Sequence, residues 1–364
     1  MSAIITDNRL LDIQEKLNNG ERLSIQDGLH LYETPDLLGV AQLANQVNLK
    51  KNGNHVYFIE NMYINPTNVC EANCGFCGFK RKPGQDGAYT MHEEELLEYV
   101  SKRWNDGIQE FHIVGGHNNE VPFDYYLDTI RTLKKHYPQV TVKAYTGAEI
   151  EFFSRISGLS MKEVLQELIK AGLDTMPGGG AEILTERYRA KMSPDKASTD
   201  QWLEAHEIAH GLGLKTHATM LYGSIENTEE RLIHMDRVRQ LQDRTNGFMV
   251  FIPLAMQPRS VKANLKRRTS AYDDMRTIAI SRLMLDNFDH VKAYWINIGV
   301  QLTQMALSFG SSDIHGTLIE ERISHSVGAL TSSGITRDEL IYLIKSANKI
   351  PVERDTFYNI IKEY

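Results

Sequence analysis

The stretch "TNVCEANCGFCGFKRK" (67–82) contains Cys70, Cys74 and Cys77, and the 364-residue chain has no other cysteine. An odd number of cysteines so close together cannot form a disulfide framework that ties distant parts of a large chain. The residues around them are largely polar, as in a loop rather than in an apolar core. The stretch therefore predicts reduced thiols on a loop that binds a metal centre.

The apolar run before this loop is the first of six that are rich in β-branched and aromatic residues, at 55–65, 108–116, 140–147, 173–180, 214–223 and 247–256. Segments with helical periodicity separate them, and this alternation is typical of βαβ units in a parallel sheet. The pattern predicts an α/β fold, a partial (βα)6 TIM-like barrel over residues 55–269. Residues 1–54 are predicted as a helical lead-in. Residues 270–364 are predicted as a mostly helical extension that closes the barrel, with 290–300 as a candidate further strand.

Helix-capping patterns support the helical segments between the runs. Thr90 with Glu93 and Ser160 with Glu163 have the spacing of a capping box, in which each side chain satisfies the other's backbone amide. Gly172 follows the second helix and is predicted to end it in a left-handed conformation.

Unusual loop residues follow the runs. After the cysteine loop come "GGHNN" (115–119), "TGAE" (146–149), "PGGGAE" (177–182), "LYGSIE" (221–226) and "MQPRS" (256–260). In a parallel α/β barrel the loops at the carboxyl ends of the strands meet at one mouth. These segments are therefore predicted to form a single site with the three thiols.

Three clustered thiols leave several interpretations open. A structural zinc site needs four ligands, so His92 or His117 would have to complete it, and the spacing lacks a second ligand pair. Thiolates are the usual ligands of iron–sulfur clusters, and three of them would leave one iron of a cubane without a protein ligand. An open position is typical of a catalytic metal. The thiols could also be unligated packing groups, but a cluster fits the polar loop best.

Two other patterns are weaker. "HEIAH" (206–210) matches the zincin motif, yet it lies on a helix between two strands and is interpreted as an outer surface helix. The basic run "RSVKANLKRR" (259–268) is a weak nucleic-acid patch, because it has no interleaved aromatic residue and the chain is acidic overall. It is interpreted as a solvated loop, with attraction of a dianionic substrate by its field as the alternative.

Charge and hydropathy bound the class of protein. The net charge is −7, from 40 basic and 47 acidic side chains, which argues against a general nucleic-acid binder. The nearly apolar run at 248–256 is too short to span a bilayer as a helix, and the N-terminus has no secretory signal pattern. A soluble cytoplasmic protein without nucleic-acid or membrane partners is expected.

The cysteine loop resembles that of a known superfamily. "CEANCGFC" (70–77) matches the C-x3-C-x-Φ-C motif of the radical S-adenosylmethionine enzymes, with Phe76 as the aromatic residue. The resemblance implies a partial barrel of the radical S-adenosylmethionine type. It also implies a [4Fe-4S] cluster held by Cys70, Cys74 and Cys77, and S-adenosyl-L-methionine bound at the open iron.

Segments along the rest of the chain narrow the resemblance. "YINPTNVC", "FHIVGG", "VKAYTGAEI", "AGLDTMPGGGAEIL" and "PVERDTFY" are similar to the aminofutalosine synthase family of the futalosine route to menaquinone. The dehypoxanthine futalosine cyclases and the deazaflavin synthase subunits share the cysteine loop and "PGGGAEI". "GGHNNE" (115–120), with His117 directly after the glycines, is closer to the cyclases than to the synthases.

The resemblance implies a transferase reaction. In this family the 5′-deoxyadenosyl radical adds to 3-[(1-carboxyvinyl)oxy]benzoate, and rearrangement and decarboxylation give 6-amino-6-deoxyfutalosine, with S-adenosylmethionine consumed as co-substrate. The substrate is a small dicarboxylate, and the reductant would be a donor such as flavodoxin or ferredoxin. A cyclase-like radical enzyme is the first alternative. A structural metal-binding module without catalysis is the second.

Candidate site residues follow from the resemblance. Donors for the substrate carboxylates are expected from the mouth of the barrel: His117, Arg189, Asn65, Thr67 and Asn68. Each also has a structural interpretation, since Asn and Thr satisfy turn backbone and Arg189 could pair with a nearby Glu. Cofactor contacts are expected from Gly115 and Gly116 beside the methionine amine, Glu149 at the ribose, and Tyr222 at the adenine.

Overall fold

The computed structural model describes residues 5–257, 269–318 and 321–364. The basic run at 259–268 lies outside these ranges. The helices are α1 (Arg9–Asn18), α2 (Ile25–Glu33), α3 (Leu37–Asn52), α4 (Glu93–Ser101), α5 (Phe123–His136), α6 (Gly147–Ser157), α7 (Met161–Ala171), α8 (Glu186–Met192), α9 (Thr199–Gly211), α10 (Thr228–Thr245), α11 (Ala271–Met284), α12 (Trp295–Ile298), α13 (Val300–Ala306), α14 (Ile323–Ser326) and α15 (Arg337–Ser346). The strands are β1 (His55–Ile59), β2 (Asn61–Ile64), β3 (Glu110–Ile113), β4 (Thr141–Ala144), β5 (Thr175–Met176), β6 (Lys215–Tyr222), β7 (Phe248–Ala255), β8 (His290–Val291), β9 (Asp313–Gly316), β10 (Ile350–Arg354) and β11 (Ile360–Glu363).

A seven-stranded parallel sheet forms the partial barrel, with the strands in chain order from β2 to β8. Helices α5, α6, α7, α9, α10 and α11 flank it, so the predicted partial α/β barrel is confirmed. The number of strands differs from the prediction. The seventh strand comes from the start of the candidate segment 290–300, where Val291 pairs with Phe251. The rest of that segment turns into α12.

A second, four-stranded sheet has the order β11-β10-β1-β9. The first apolar run, predicted as one strand, divides at Glu60: β1 joins this sheet and β2 starts the barrel. The prediction of a mostly helical segment at 270–364 is therefore wrong in part, because β8 to β11 lie there. Buried charges mask these strands in the sequence, since Arg354 of β10 pairs with Asp313 of β9 at 2.6 Å.

Local capping explains where two of the helices begin. Helix α7 starts at Ser160, whose backbone N–H donates to Glu163 at 2.8 Å, and it ends at Gly172 with a φ of 114°, as predicted. The cap predicted for α4 is wrong. The hydroxyl of Thr90 is engaged by Asn118 at 3.0 Å, and the helix starts after His92 instead.

Strand alternation sorts the side chains that position the site. In β3 and β4, Phe111 and Val142 point outward into the apolar layer between the sheet and its helices. The residues that follow them, His112 and Lys143, point the other way and line the barrel interior. Helices α2 and α3 of the lead-in pack on α10 and α11 at the far side of the sheet. Among the described residues, no helix combines the length and apolarity that a membrane span requires.

Candidate active site

A cavity of about 290 Å³ opens at the carboxyl ends of the barrel strands. Its wall includes the three cysteines, Gly115 to His117 after β3, Thr146 and Glu149 around the start of α6, and Pro177 to Gly180 after β5. Ala255, Met256 and Gln257 contribute from the end of β7. From β6 the wall takes Leu221, within the strand, rather than the residues of the following turn. Segments distant in sequence thus meet at one mouth, as the βα rhythm predicts.

The cysteine loop presents its thiols to this cavity. Cys70 and Cys74 are buried, Cys77 is partly exposed, and none is oxidised. The backbone N–H of His117 donates to the Sγ atom of Cys70 at 3.3 Å. Burial raises the pKa of the Cys70 thiol and raises that of Cys74 to about 11. A cationic centre is therefore needed to hold these sulfurs as thiolates.

The geometry does not favour a single zinc ion. Within 5–257, 269–318 and 321–364, no three His, Cys, Asp or Glu side chains are grouped so that they could hold a metal ion. His117, one of the two proposed fourth ligands, stacks its ring on Phe152 at 4.8 Å. His92, the other, is exposed at the start of α4 and does not line the cavity. Without either histidine as a fourth ligand, the three thiols that line the cavity fit a cluster, in which each thiolate binds its own iron.

The turn after β3 is packed against the cysteine loop. A Cβ atom on Gly116 would lie 2.0 Å from the carbonyl oxygen of Val69, so only glycine fits there. The N–H of Gly115 donates to Glu149 at 3.1 Å, and the other carboxylate oxygen of Glu149 accepts from the N–H of Thr146 at 2.8 Å. Burial raises the pKa of Glu149 despite these bonds. Gly115, Gly116 and Glu149 all line the cavity, which leaves their predicted cofactor roles as proposals.

Arg189 is buried behind the glycine loop rather than in the cavity wall. Its guanidinium donates to the carbonyl oxygens of Gly180 at 3.2 Å and Ala181 at 2.9 Å, and also to that of Ala197. The expectation that it contacts a substrate carboxylate is corrected, because Arg189 does not line the cavity and both of its terminal nitrogens donate to backbone. Arg189 shapes the loop that the substrate would meet.

Asn65, Thr67 and Asn68 also serve the backbone. The side-chain amides of Asn65 and Asn68 donate to the carbonyls of Val114 and Gly87, each at 2.8 Å. The hydroxyl of Thr67 donates to the carbonyl of Tyr89 at 3.0 Å. None of the three lines the cavity. Their predicted contact with substrate is therefore corrected: they stabilise the backbone around the cysteine loop.

Tyr222 lies on the opposite face of β6 from the cavity. Its hydroxyl donates to Asp274 at 2.8 Å, and the guanidinium of Arg231 lies 5.0 Å from its ring centre. Because side chains alternate along a strand, the cavity-lining Leu221 requires Tyr222 to point outward. The expectation that Tyr222 lines the adenine is therefore corrected.

Lys196 and Glu182 form an ion pair in the cavity wall that the sequence did not single out. Their charged atoms lie 2.9 Å apart, and the ammonium of Lys196 lies 5.8 Å from the ring centre of Phe76. Burial opposes the charge of Lys196, but Glu182 outweighs it and raises the pKa of the lysine. The pair places a fixed positive group beside the aromatic residue of the cysteine motif.

Polar residues within the strands form a second feature that was missed. Tyr63, His112, Lys143, His217 and His315, here named the inner polar cluster, all line the cavity. A signal was present in the sequence for four of them: the polar residues Tyr63, His112, Lys143 and His217 each lie inside one of the six predicted strand runs, whereas His315 does not. In a strand that is buried on both faces, such a residue must face the barrel interior.

The zincin-like motif is remote from the cavity. His206 and His210 both hydrogen-bond the hydroxyl of Thr216, at 2.9 and 2.7 Å, and Glu207 pairs with Arg244 at 3.2 Å. Helix α9 thus uses the motif for packing and for a surface ion pair, in agreement with its interpretation as an outer helix.

Comparisons with known proteins give the same assignment. Residues 64–238 match the radical SAM superfamily, and residues 245–363 match the CofH/MqnC C-terminal region. An aminodeoxyfutalosine synthase of Thermus thermophilus is 48% identical over 98% of this chain and 97% of its own length. One of Streptomyces coelicolor is 42% identical over 97% and 94%. A cyclic dehypoxanthine futalosine synthase of Halalkalibacterium halodurans is 36% identical over 97% and 95%.

Solved structures share the fold at low identity. HydG, a maturase of the [FeFe]-hydrogenase, has a TM-score of 0.75 at 18% identity over 96% of this chain and 77% of its own. Methylornithine synthase (PylB) has a TM-score of 0.71 at 16% identity over 93% and 97%. With the near full-length similarity above, the chain belongs to the radical S-adenosylmethionine superfamily and, within it, to the aminodeoxyfutalosine synthase family.

Proposed function

We propose that this enzyme joins the 5′-deoxyadenosyl group of S-adenosylmethionine to 3-[(1-carboxyvinyl)oxy]benzoate and releases carbon dioxide, giving 6-amino-6-deoxyfutalosine for menaquinone biosynthesis. The observation that carries the proposal is that three free thiols line one barrel cavity together with the glycine turn at 115–116. The name shared by the relatives at 48% and 42% identity supports the choice of reaction.

Cys70, Cys74 and Cys77 would hold a [4Fe-4S] cluster, and S-adenosylmethionine would bind at the iron that they leave open. When bound, these groups supply reductive cleavage of the sulfonium bond, which provides the adenosyl group for transfer. Gly115 and Gly116 allow close approach of a ligand to the backbone, and Glu149 offers carboxylate oxygens inside the cavity. An external donor such as flavodoxin or ferredoxin would supply the electron.

The chain also excludes water from the site. Apolar side chains of β7, Ile252 and Leu254, form one wall. Ile323 and Val327, near helix α14, cover another part of the cavity. Apolar walls that limit the access of solvent protect reactive species from side reactions and strengthen electrostatic interactions inside.

The direct test is an anaerobic reaction of the reconstituted enzyme with dithionite, S-adenosylmethionine and the enolpyruvyl benzoate. Mass spectrometry is expected to find one product that contains the adenosyl group and has lost carbon dioxide. The Cys74→Ala variant is expected to give none and to retain less iron. Zinc in a colourless protein would instead support a structural metal-binding module.

A second candidate, a cyclase-like reaction, is favoured by one observation: His117 directly follows Gly116, as in the cyclase pattern, and its ring lines the cavity. The relative at 36% identity is a cyclic dehypoxanthine futalosine synthase. The same experiment separates the two, since a cyclase would release 5′-deoxyadenosine and leave no adenosyl adduct.

A further inference from the structure

The inner polar cluster begins as a row across three neighbouring strands. Tyr63 of β2 is in register with His112 of β3, which is in register with Lys143 of β4. Residues in register on parallel strands point to the same face, and here that face is the cavity. The rings of Tyr63 and His112 stack at 4.2 Å. Since these residues lie within the strands, the row is deeper in the barrel than the cysteine loop that follows β2.

Histidines from β6 of the barrel and from β9 of the second sheet complete the cluster. His217 of β6 is 1% exposed, and its Nε2 atom has no hydrogen-bond partner. The Nδ1 atom of His112 is likewise unpartnered. His315 of β9 lies 3.1 Å from the hydroxyl of Tyr63 through Nε2. Buried polar atoms are almost always satisfied, so these two unpaired nitrogens, on residues that line the cavity, are candidate partners for a ligand.

The charges behind the cluster do not balance. Lys143 pairs with Glu110 at 2.5 Å, whereas Lys292 at 3.5 Å and Arg354 at 2.6 Å share Asp313. Three cations thus face two carboxylates, and all five residues are at most 1% exposed. Burial lowers the pKa of Lys292 to about 7, although Asp313 opposes the shift. Loss of the Lys292 proton near neutral pH relieves this excess of buried positive charge, whereas an anion in the cavity would favour the protonated form.

Glu321, a further acid in the cavity wall, does not supply that anion. Glu321 is 3.0 Å from Nδ1 of His325, and this hydrogen bond raises the pKa of the histidine to about 9. The charge of Glu321 is thereby compensated within its own pair. Of the three cations, Lys143 lines the cavity, and Lys292 and Arg354 add their positive field from behind its wall.

We propose that the inner polar cluster is the subsite for the carboxylate on the aromatic ring of the substrate. Lys143 provides the positive charge, and the imidazoles of His112 and His217 provide N–H donors, because a neutral imidazole can carry its proton on either nitrogen. The identity of the ligand rests on the proposed function. The anionic character of the subsite rests on the residues alone.

The ring carboxylate fits this position better than the enolpyruvyl carboxylate. The ring carboxylate is remote from the double bond that reacts, so tight binding there positions the substrate without opposing the chemistry. A carboxylate that leaves as carbon dioxide would be retarded by strong ion pairing, since that pairing is lost in the transition state. With the ring carboxylate held within the strands, the double bond would face the loops that carry the thiols.

The test compares two ligands on two proteins. Equilibrium binding is measured by calorimetry on the anaerobic, cluster-loaded enzyme without reductant, so that no turnover occurs. The ligands are the enolpyruvyl benzoate and 2-phenoxyacrylate, which lacks the ring carboxylate. The double variant Lys143→Met/Glu110→Gln removes both members of the buried pair and leaves no lone charge. It is expected to weaken the dicarboxylate about tenfold or more, and 2-phenoxyacrylate less than about twofold.

A control removes an ion pair of the same length that is partly exposed and lies outside the cavity. Lys134 and Asp174 lie 2.5 Å apart, and neither lines the cavity. The variant Lys134→Met/Asp174→Asn is expected to bind both ligands as the unchanged enzyme does. Equal weakening of both ligands by the Lys143 variant would overturn the proposal, as would unchanged binding of the dicarboxylate.

Two further measurements decide the remaining cases. If the Lys143 double variant does not fold, His217→Leu, which alters no charge, is expected to show the same selective loss. If both ligands are then equally affected, the proposal is overturned.

Benzoate, followed by ligand-observed NMR, separates the subsite from the proposed reaction. Binding of benzoate that is lost in His217→Leu supports the subsite even if the enzyme makes no adenosyl product, and absence of benzoate binding overturns it.

Discussion

The backbone of Gly116 lies directly against the carbonyl of Val69, so that a Cβ atom on residue 116 would be 2.0 Å from that oxygen. Val69 immediately precedes Cys70, and the next backbone amide after Gly116, that of His117, donates to the Cys70 sulfur. The turn after β3 and the cysteine loop after β2 are therefore fitted to each other. The position of one thiol depends on a residue 46 positions away.

Gly116→Ala is expected to displace the cysteine loop, because backbone cannot yield as a flexible side chain can. Overpacking of this kind costs about 1–3 kcal/mol. We expect a lower unfolding temperature and less iron per chain after anaerobic reconstitution, measured by differential scanning calorimetry and iron analysis. Gly211→Ala is the matched control, since a Cβ there meets no atom within 4 Å. Full iron loading of Gly116→Ala would contradict the predicted coupling.

The barrel could be predicted from sequence because it depends on local patterns. Apolar runs, helical periodicity and capping pairs such as Ser160 with Glu163 are properties of short segments. The division of the first run at Glu60 could not be predicted in this way. Residues 55–65 have strand character on both sides of Glu60 and Asn61, and pairing with β9 and β10 at the other end of the chain is what separates β1 from β2.

The site was harder to predict for a related reason. A polar loop residue such as Asn68 has the same sequence signature whether it satisfies backbone or binds a ligand, and here it accepts from and donates to its own loop. The expected role of Tyr222 failed because the sequence alone does not show which alternate residues of β6 face the cavity; the structure places Leu221 there instead. His112 and Lys143 become prominent only when their strands are in register.

Arg189→Leu is expected to destabilise the protein rather than to remove a substrate contact. Its guanidinium donates hydrogen bonds to the carbonyl oxygens of Gly180, Ala181 and Ala197. Loss of buried hydrogen bonds from a charged donor costs about 1–3 kcal/mol. Arg189→Lys is expected to recover only part of the stability, because an ammonium lacks the planar fork of donors. Urea unfolding measures both. A raised KM with unchanged stability would instead restore the predicted substrate contact.

The pair His325–Glu321 makes stability depend on pH near the cavity. The hydrogen bond to Glu321 raises the pKa of His325 to about 9 in the folded protein, whereas the pKa of a histidine in an unfolded chain is ~6.5. The contribution is therefore complete below about pH 6.5 and is lost as the pH rises through about 9. Since the pair is partly solvated, it is worth about 1 kcal/mol.

His325→Gln isolates this contribution, because glutamine keeps hydrogen-bonding capacity without the titrating charge. The difference in free energy of unfolding between the two proteins is expected to fall from about 1 kcal/mol at pH 6 towards zero at pH 10. Urea unfolding at several pH values measures it. A difference that stays constant over this range would show that the proton has no part in the interaction.

Tyr222→Phe tests the corrected position of an expected adenine contact. The hydroxyl donates to Asp274 at 2.8 Å on the helix side of β6, so its removal is expected to lower stability by about 1–3 kcal/mol. The dissociation constant of S-adenosylmethionine for the cluster-loaded enzyme is expected to stay unchanged, because the tyrosine does not line the cavity. Calorimetry measures both quantities on one sample.

Leu221→Ala is the comparison variant at the neighbouring position. The side chain of Leu221 does line the cavity, so its truncation is expected to weaken ligand binding. Weaker S-adenosylmethionine binding in Tyr222→Phe at unchanged stability would return the tyrosine to the adenine site.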